Sequence, residues 1–569
     1  MKKALLVLIV VMVVITSLFA FSACNRADGN IVSIKNSSRG QVMKGFGASS
    51  AWWSQIVGLG ENKDEVAQLL YGDDGMALNI YRYNIGGGSK DLVDKSVTGT
   101  YATCWDNQDE LSDANYYWEL DRLTESFLVA DGYVGTTHDE LLAWVSDDNH
   151  YDFTTRDVGA QEMLKACYAL GNIDEIVLFV NSPHYIMTAN GMCRSDDGAD
   201  NVDNLPEENY DVFAIYLMKI LKHFTDAGYP VKYLSPINEP NWDWSDWKQE
   251  GCHYEPASMA ACLNTVYLKL VEFNEANGTN VIIDGYESGN WRWKGSSNNP
   301  SYNQEYIEEI QKTDAYLTME YLSYHSYSNP YNRSDREDFM KKSKNYNIQV
   351  GISEYCQMTA GVDLNEFGNA QLLALVMAYD MSILKSNEWT WWIGVSNEKT
   401  YNYEDGLIYT NWWSDYDDEF AANYYGDIHT GEKDSVRVSP RFYTMKHYAQ
   451  FVGAGDIYLD LDISKKSSNL GIHATQQDSK LFYAFETAAG EKMPYSDKIY
   501  NAFLKADGTV VIVYTNVVED PITWNIEDKF SSFEAYTSTA GNYFQESAGK
   551  FNGSYQFPGN SIVTLVLHP

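Results

Sequence analysis

The segment Leu234-Ser235-Pro236-Ile237-Asn238-Glu239-Pro240 puts a carboxylate directly after a short apolar run. The run from Val231 to Asn238 has the length and composition of a buried strand. A second segment of this kind, Val350-Gly351-Ile352-Ser353-Glu354-Tyr355, also ends its apolar run in a glutamate. Enzymes built on a (β/α)8 barrel carry their catalytic groups at the C-terminal ends of the strands. The two segments therefore predict a barrel with Glu239 and Glu354 as its catalytic candidates.

Similar apolar runs recur along the chain, and amphipathic stretches separate them. The predicted strands are Gly45–Ala48, Leu78–Asn84, Ile176–Asn181, Val231–Asn238, Asn280–Tyr286, Tyr321–Tyr327, Ile348–Glu354 and Glu388–Val395. The predicted helices include Asp157–Leu170, Tyr210–Ala227, Met259–Asn277, Tyr302–Asp314 and Asn369–Lys385. Eight strands with intervening helices favour an α/β fold of the (β/α)8 TIM-barrel type. Strands four and seven lie opposite each other in such a barrel, so Glu239 and Glu354 would face one another across its mouth.

Two regions depart from the barrel pattern. The long interval from Ile85 to Asp157 is rich in Tyr, Trp, Asp and Asn, and is either an active-site wall or a surface insertion. After about Gly455 the chain changes to period-two apolar runs separated by turns, which is typical of a β-sandwich. We therefore predict a catalytic barrel over residues 31–455 and a β-sandwich over residues 456–569, with the alternative that the strand Ile31–Ile34 joins the sandwich.

The N-terminus has the pattern of a targeting segment over residues 1–24. Lys2 and Lys3 precede an apolar stretch, and Phe21-Ser22-Ala23-Cys24 is similar to a bacterial lipobox. Three outcomes stay open: lipidation of Cys24, ordinary cleavage, or retention of the stretch as a membrane anchor. Each of them places the rest of the chain outside the cytoplasm, secreted or at the cell surface, with no membrane contact other than this anchor.

Composition excludes several classes of function. The chain has 79 acidic and 41 basic residues and a formal net charge of −38, which repels the phosphates of nucleic acids. Its 16 Trp and 43 Tyr suit a neutral, hydroxyl-rich ligand such as a polysaccharide, because sugar rings lie flat on aromatic faces. The seven cysteines are too few for a disulfide scaffold, and no CxxC or HExxH spacing suggests zinc. We expect neither a metal nor a cofactor.

Paired strand-end carboxylates fit one chemistry closely. Hydrolysis of a glycosidic bond with retention of configuration needs two carboxyl groups about 5–5.5 Å apart, one as nucleophile and one as acid/base. On its own, a glutamate at a strand end is usually a solvated charge. Two of them on opposing strands, one within Asn-Glu-Pro, favour an O-glycosyl hydrolase.

Several stretches in the order found here are similar to glycoside hydrolase family 30, a family of clan A retaining glycosidases. They are Gly45-Phe46-Gly47-Ala48-Ser49, Asn79–Gly88, Asn181-Ser182-Pro183, Asn238-Glu239, Ser323-Tyr324-His325-Ser326-Tyr327, Glu354, Ser439-Pro440-Arg441-Phe442-Tyr443 with Gln450-Phe451-Val452, and Phe557-Pro558-Gly559-Asn560-Ser561. The resemblance covers nearly the whole chain after the leader. It implies a TIM barrel with an associated β-sandwich.

The resemblance also implies roles for individual residues. Glu239 would be the acid/base and Glu354 the nucleophile, while Asn238 would hydrogen-bond the sugar 2-hydroxyl. Arg82 would keep Glu354 ionised, and Tyr327 would donate a hydrogen bond to it. The substrate contacts implied in the same way are His325, Trp392 as the floor of the −1 subsite, Trp52, Trp53, Asn181 and Tyr185.

Within the family, the segment Trp247-Lys248-Gln249-Glu250-Gly251-Cys252-His253 and the pair Trp52-Trp53 are most similar to the endo-β-1,6-galactanase branch. Gln249 and Glu250 would then be substrate contacts at the sugar flanking the scissile bond, with loop packing as the alternative. The predicted substrate is the β-1,6-galactan of arabinogalactan side chains.

Other activities stay open. Members of the family also act as β-1,6-glucanases and as glucuronoxylanases, and the latter would place a cation such as Lys433, Arg437 or Lys446 near the last barrel loops. A hypothesis of another class is a non-catalytic polysaccharide-binding surface lipoprotein. Loss of either glutamate would favour that hypothesis, and both are present.

Overall fold

A computed structural model describes residues 30–92, 121–195, 202–245, 249–293, 303–327, 330–346, 349–357, 366–397, 405–411, 435–465, 483–487, 492–494 and 499–569. The predicted leader with Cys24 lies outside these residues and stays a prediction. Trp247, Lys248 and Lys433 lie outside them as well.

Eight parallel strands form the barrel, preceded by strand β1 (Asn30–Val42). The barrel strands are β2 (Gly45–Ser49), β3 (Ile80–Ile85), β4 (Glu175–Val180), β5 (Val231–Ser235), β6 (Ile282–Ile283), β7 (Leu322–His325), β8 (Val350–Glu354) and β9 (Glu388–Trp391). Hydrogen bonds connect them in the order β6-β5-β4-β3-β2-β9-β8-β7. Ser288, which follows β6, bridges to Tyr324 of β7 and so joins the two ends of this sheet. The TIM barrel expected from the sequence is confirmed.

Helices surround the barrel. They are α1 (Trp53–Val57), α2 (Lys63–Tyr71), α3 (His138–Ser146), α4 (Val158–Tyr168), α5 (Tyr210–Asp226), α6 (Pro256–Asn277), α7 (Asn303–Ile310), α8 (Arg333–Ser343), α9 (Phe367–Tyr379) and α10 (Pro440–Ala449). In α5, buried residues recur every three or four positions, as in Phe213, Leu217, Ile220 and Phe224, so one face packs on the barrel. Among the described residues, one helical stretch, Phe367–Leu384, is long and apolar enough to cross a membrane, and it is mostly buried inside the protein as a core helix.

The start of the barrel depends on a close approach between Gly45 and Asn79. The Asn79 side chain accepts a hydrogen bond from Phe46 N at 2.9 Å and donates one to Lys44 O at 2.8 Å. A Cβ atom on Gly45 would lie 1.8 Å from Asn79 Oδ1, and the φ of Gly45 is +138°. Glycine is therefore required where β1 turns into β2.

Two barrel strands are shorter than predicted, because regular pairing stops before their predicted C-terminal ends at the mouth of the barrel. The predicted strand Glu388–Val395 is two strands, because the chain turns at Trp392. The second, β10 (Ile393–Asn397), leaves the barrel and pairs with β11 (Gly406–Thr410), which pairs with β12 (Val436–Val438). The predicted strand Asn280–Tyr286 retains only Ile282–Ile283 in regular pairing, and after it the chain contacts the neighbouring strands through isolated bridges at Glu287 and Ser288.

The C-terminal region forms a second, mostly antiparallel sheet. Its strands are β13 (Ile457–Lys465), β16 (Tyr500–Leu504), β17 (Val510–Asn516), β18 (Ile522–Ile526), β19 (Ser532–Thr539), β20 (Asn542–Lys550), β21 (Ser554–Phe557) and β22 (Ser561–His568), and a separate hairpin is formed by β14 (Tyr483–Glu486) and β15 (Lys492–Pro494). β1 completes the sheet by pairing antiparallel with β13 and parallel with β18. The stretch Ile31–Ile34 therefore belongs to this sheet.

This nine-stranded sheet folds over its own core in the manner of a sandwich. The ring of Tyr514 in β17 lies 4.7 Å from that of Phe557 in β21, although these strands are not neighbours in the sheet. The residues of β17 that alternate with Tyr514 point to the opposite face of the sheet. Val511 and Val513 pack into the same apolar core as the barrel, whereas Ile512 belongs to the core of the sheet domain. The two domains thus share a continuous apolar interface.

The described cysteines are buried, and no disulfide joins two of them. They are Cys167, Cys193, Cys252, Cys262 and Cys356.

His447 in α10 forms buried hydrogen bonds across the interface between the barrel and the sheet domain. Thr564 donates to His447 O at 2.7 Å, so its hydroxyl oxygen accepts from His447 Nδ1 at 2.8 Å. Phe544 N donates to Ser538 Oγ, which leaves the Ser538 hydroxyl hydrogen for His447 Nε2 at 2.8 Å. Every polar atom of the imidazole is satisfied in its neutral form, and burial lowers the pKa of His447 to about 3.

This neutral histidine predicts acid sensitivity of the domain interface. The unfolded chain titrates near pH 6.5, so between about pH 6.5 and 3 it binds more protons than the folded protein, and stability falls as the pH decreases. For this group the fall is about 1.4 kcal/mol per pH unit. His447→Gln retains one donor and one acceptor but cannot titrate. We expect the difference in melting temperature between the wild type and this variant to shrink from pH 7 to pH 4. A constant difference would contradict this account, because His184, whose pKa burial also lowers to about 3, is the same in both proteins.

Candidate active site

Glu239 and Glu354 meet at the C-terminal mouth of the barrel. Glu354 is the last residue of β8, and Glu239 lies in the loop after β5, where Asn238 bridges to Glu287. One carboxylate oxygen of each lies within 4.8 Å of the other. This is the short separation of retaining glycosidases, in contrast to the gap of about 6.5–9.5 Å in inverting ones.

The backbone of Glu239 is held in an uncommon conformation. Its φ is +46°, in the left-handed region that non-glycine residues rarely adopt. Such a conformation costs on the order of 1–3 kcal/mol and persists where the surroundings enforce it. Here Glu239 N donates to Glu287 O at 2.7 Å, and a Cβ on Gly289 would lie 3.0 Å from Glu239 Oε1. The loop thus fixes the carboxylate, and glycine at 289 leaves room for it.

His325 connects the two carboxylates. It is fully buried at the end of β7, and its Nδ1 lies 2.7 Å from Glu239 Oε1 and 3.3 Å from Glu354 Oε1. Burial alone would lower the pKa of His325, but the attraction of Glu354 and Glu239 outweighs it and raises the pKa to about 10. His325 is therefore a cation over the working range of most enzymes, and it reduces the repulsion between the two carboxylates.

Arg82 of β3 is the second cation of the site. Its Nη1 donates to Glu354 Oε2 at 2.9 Å, and its Nη2 donates to Glu287 Oε2 at 2.9 Å and to Asn238 Oδ1 at 3.2 Å. The guanidinium lies over the ring of Phe179, 3.5 Å from its centroid. Arg82, Glu239, Glu287, His325 and Glu354 form one buried network, which we call the charged cluster.

The nucleophile candidate Glu354 experiences opposing influences. Burial raises its pKa, whereas His325 and Arg82 lower it, and the net direction is upward. The contact with Arg82 expected from the sequence is present, but its effect on the pKa is smaller than that of burial. Tyr327 donates to Glu354 Oε1 at 2.8 Å. Burial raises the pKa of Tyr327 well above its usual value, so the phenol keeps its proton for this bond.

Asn238 is oriented by its neighbours. Arg82 donates to its carbonyl oxygen, so its amide nitrogen faces Asn181, to whose Oδ1 it donates at 3.2 Å. Asn181 in turn donates to Asn84 Oδ1 at 3.2 Å. Asn181 therefore acts on Asn238 and is itself almost fully buried.

Trp392 and Trp52 form an aromatic wall beside the carboxylates. Their rings meet edge to face with centroids 5.0 Å apart, and Phe179 packs against Trp392. Trp52 has a φ of +66°, a second strained position at the mouth. Trp53 differs from the prediction. It points into the core at 1% exposure and donates to Ser49 O at 2.9 Å, because successive residues at the start of α1 face different sides.

The polar residues predicted to recognise the flanking sugar are bound within the protein. Gln249 accepts from Arg122 at 2.7 Å, and Arg122 lies over the ring of Trp52 at 4.4 Å. Gln249 thus fixes Arg122 against the aromatic wall. Tyr185 lies in the loop after β4. Its ring packs close to Gly88, and the residue is partly exposed.

Glu250 is a correction to the sequence interpretation. It is fully buried, and its oxygens accept from Gly87 N at 2.9 Å, from Ser89 N at 3.2 Å and from Thr124 Oγ1. Burial raises the pKa of Glu250, and these donors oppose that effect. A carboxylate with these partners has no atom facing the mouth. Glu250 connects the loops after β3 and β5, which is the loop-packing alternative.

One group of described side chains, Glu239, His325 and Glu354, has the spacing of a metal site. The two carboxylates raise the pKa of the histidine, so a metal ion would have to displace a proton from His325 Nδ1 before it could bind there. The arrangement suits proton transfer and nucleophilic attack instead.

Sequence interpretation missed two members of this site. Glu287 follows the predicted strand Asn280–Tyr286 directly, so it was a third strand-end carboxylate and could have been found by the same rule. Arg122 lies near the middle of the long interval from Ile85 to Asp157, where no local pattern distinguishes it. Only its position over Trp52 reveals its role.

Comparison with known proteins agrees with this geometry. A family model described as O-Glycosyl hydrolase family 30 matches residues 131–409. An endo-beta-1,6-galactanase from Hypocrea rufa is 27% identical over 271 residues, which cover 45% of this chain and 49% of that protein. An exo-beta-1,6-galactobiohydrolase from Bifidobacterium longum subsp. longum is 27% identical over 247 residues, which cover 37% of this chain and 15% of that protein. The chain thus spans about half, or less, of the length of these curated relatives.

The fold is also shared with solved structures. The crystal structure of a conserved exported protein from Bacteroides fragilis matches with a TM-score of 0.69 at 21% identity, and the match covers 94% of this chain and 100% of that one. At this identity the similarity concerns the fold.

The buried position of Glu250 leads to a test of its role. Glu250→Gln would turn an amide nitrogen towards backbone N–H donors, so we expect it to lower the free energy of unfolding by about 1–3 kcal/mol. Hydrolysis of a polysaccharide and of an aryl glycoside should fall together. Glu255→Gln is the matched control, since Glu255 lies on the same loop with 61% of its side chain exposed, and little change is expected. A selective loss on polysaccharide with unchanged melting would restore Glu250 as a substrate contact.

Proposed function

Because the chain belongs to glycoside hydrolase family 30, we propose that it is a retaining O-glycosyl hydrolase that cleaves β-1,6-linked galactan. The observation that carries the catalytic part is the pair Glu239 and Glu354, with oxygens within 4.8 Å and the protonated His325 between them. A binding protein has no need to bury two carboxylates at this distance, since their repulsion is costly without a chemical use.

In the first step Glu354 attacks the anomeric carbon. A bond forms between its carboxylate oxygen and C1 as the bond from C1 to the glycosidic oxygen breaks, and Glu239 gives its proton to that leaving oxygen. Arg82 and Tyr327 hold Glu354 through separate oxygens, at 2.9 and 2.8 Å, and so fix the direction of attack.

In the second step water releases the sugar. Glu239, now ionised, takes a proton from a water molecule, whose oxygen attacks C1 as the ester bond to Glu354 breaks. The product keeps the configuration of the substrate, and both carboxyl groups return to their initial states. Asn238, oriented by Arg82 and Asn181, is positioned to hydrogen-bond the 2-hydroxyl through both steps.

Two considerations support galactan as the substrate. Both curated relatives are named for action on β-1,6-linked galactose polymers or oligomers, which fits the galactanase-like stretch from Trp247 to His253. A 1,6 linkage passes through an exocyclic carbon, so successive sugars can turn sharply and suit an angled subsite. Trp52 and Trp392 meet edge to face and form such a corner.

One residue considered for a glucuronoxylanase does not fit that role. Lys446 donates to Asp74 O, just before β3 and hence at the N-terminal end of the barrel strands, away from the catalytic mouth. It cannot bind a uronate beside Glu354.

Catalytic division of labour gives the first test of this function. Glu354→Gln should lower hydrolysis by about 10⁴-fold or more on every substrate, because the nucleophile is lost. Glu239→Gln should retain activity on aryl glycosides with good leaving groups, which need no protonation, and azide should rescue it by replacing the activated water. Reaction rates and the anomer of the first product, followed by NMR, measure both.

Both variants are isosteric, so their melting temperatures serve as the control for folding. Near-normal hydrolysis of polysaccharide by either one, or an inverted first product, would contradict the assignment of the pair.

The substrate gives a separate test. Debranched arabinogalactan, β-1,6-glucan and glucuronoxylan should be compared by release of reducing sugar at equal concentration. We expect the galactan to be cleaved at least tenfold faster, because a site that hydrogen-bonds the axial 4-hydroxyl of galactose leaves polar groups unpaired with glucose. Faster cleavage of the glucan would reassign the substrate and leave the catalytic pair intact.

A further inference from the structure

Glu287 is a third buried carboxylate in the charged cluster. It lies in the loop after β6, and its side chain is fully buried, so it cannot touch a substrate. Ser235 of β5 donates to its Oε1 at 2.6 Å. Arg82 donates to its Oε2 at 2.9 Å, and His325 Nε2 lies 3.5 Å from the same oxygen. Glu287 thus contacts both of the cations that contact the catalytic carboxylates.

Glu287 supplies a negative charge beside both Arg82 and His325. Glu354 supplies another, and all four side chains are buried. Taking a charge out of water is costly unless an opposite charge lies beside it. Without Glu287 the two buried cations would lie beside one anion fewer, which favours the loss of a proton from His325.

We propose that Glu287 is a positioning residue that keeps His325 a cation, so that His325 can hold Glu239 and Glu354 in place beside each other. This inference rests on the proposed function for its consequence in catalysis, but the effect on His325 stands without it. Glu287 also orients Arg82, because it accepts a hydrogen bond from Nη2 of the guanidinium while Nη1 donates to Glu354.

Six titratable or charged groups face Glu287 or act on it from the neighbouring strands and loops. They are Arg82, Glu239, Asp284, His325, Glu354 and Glu388. Burial alone would raise the pKa of Glu287, but Arg82 and His325 outweigh it and lower the pKa to about 2. Glu287 is thus a permanent anion, while burial raises the pKa of both Asp284 and Glu388.

The variant that tests the proposal is Glu287→Gln, which removes the charge and keeps the shape. The matched control is Glu388→Gln. Glu388 is an equally buried carboxylate of β9 that acts on Arg82 and Glu287 through its charge without a hydrogen bond to either, and burial raises its pKa. Melting temperatures of both variants establish that they fold.

The first readout is the titration of His325, followed by NMR with ¹⁵N-labelled histidine and assigned by His325→Asn. In Glu287→Gln the midpoint should fall by about one pH unit or more, because an adjacent opposite charge is lost. In Glu388→Gln it should equal that of the wild type. An unchanged midpoint in Glu287→Gln, or an equal fall in the control, would overturn the proposal.

The second readout is the pH dependence of kcat/KM on the polysaccharide that the wild type hydrolyses. Its alkaline limb should move to lower pH in Glu287→Gln, because His325 then loses its proton, and with it the hold on the two catalytic carboxylates, at a lower pH. A uniform loss of activity with an unchanged limb would mean a merely structural role and would overturn the proposal.

Two further arms keep the test decisive. If Glu287→Gln does not fold, Glu287→Asp keeps the charge but shortens the side chain, so the charge lies farther from His325 and the His325 midpoint should fall by a smaller amount; no change would overturn the proposal. If the wild type hydrolyses none of the glycans, the proposed function fails, while the His325 titration still decides the role of Glu287.

Discussion

Arg82 is the constraint on which the mouth of the barrel depends. Three carboxylates converge there, and the guanidinium separates two of them while it fixes the amide of Asn238. The planar fork of arginine can direct different nitrogens at Glu354 and Glu287, which a single ammonium group could not do. Loss of this cation would leave buried anions unpaired, which is far more costly than the absence of the whole network. The position of Arg82 in the middle of β3, with its neighbours Tyr81 and Tyr83 pointing towards the helices, follows from strand alternation.

Much of this architecture could be predicted from the sequence. The barrel strands are short apolar runs, and Glu354 ends one of them as expected because the catalytic groups of a barrel lie where its strands end. Both faces of β17 are buried, one against the barrel and one in the core of the sheet domain, so this strand is a continuous apolar run in the sequence. These features depend on local pattern, which a single sequence contains.

The remainder depends on contacts between distant segments. Two adjacent tryptophans, Trp52 and Trp53, look alike in the sequence, yet the first lies at the mouth and the second in the core, because a backbone φ of +66° at Trp52 turns the chain between them. Glu250 looks like a polar residue of a substrate loop, but its partners Gly87, Ser89 and Thr124 are more than a hundred residues away. No local pattern encodes which loop a carboxylate will contact.

Strand β1 has a consequence for how the molecule is made. Asn30 pairs with Lys465 and with Trp524, so the first described strand lies between two strands of the last domain. During synthesis β1 leaves the ribosome long before those partners exist. Pairing over such sequence distances is slow, because the ends of a very long loop have to find each other. The barrel and the C-terminal sheet are therefore linked in folding, because a chain truncated after the barrel would lose the partners of its own first strand.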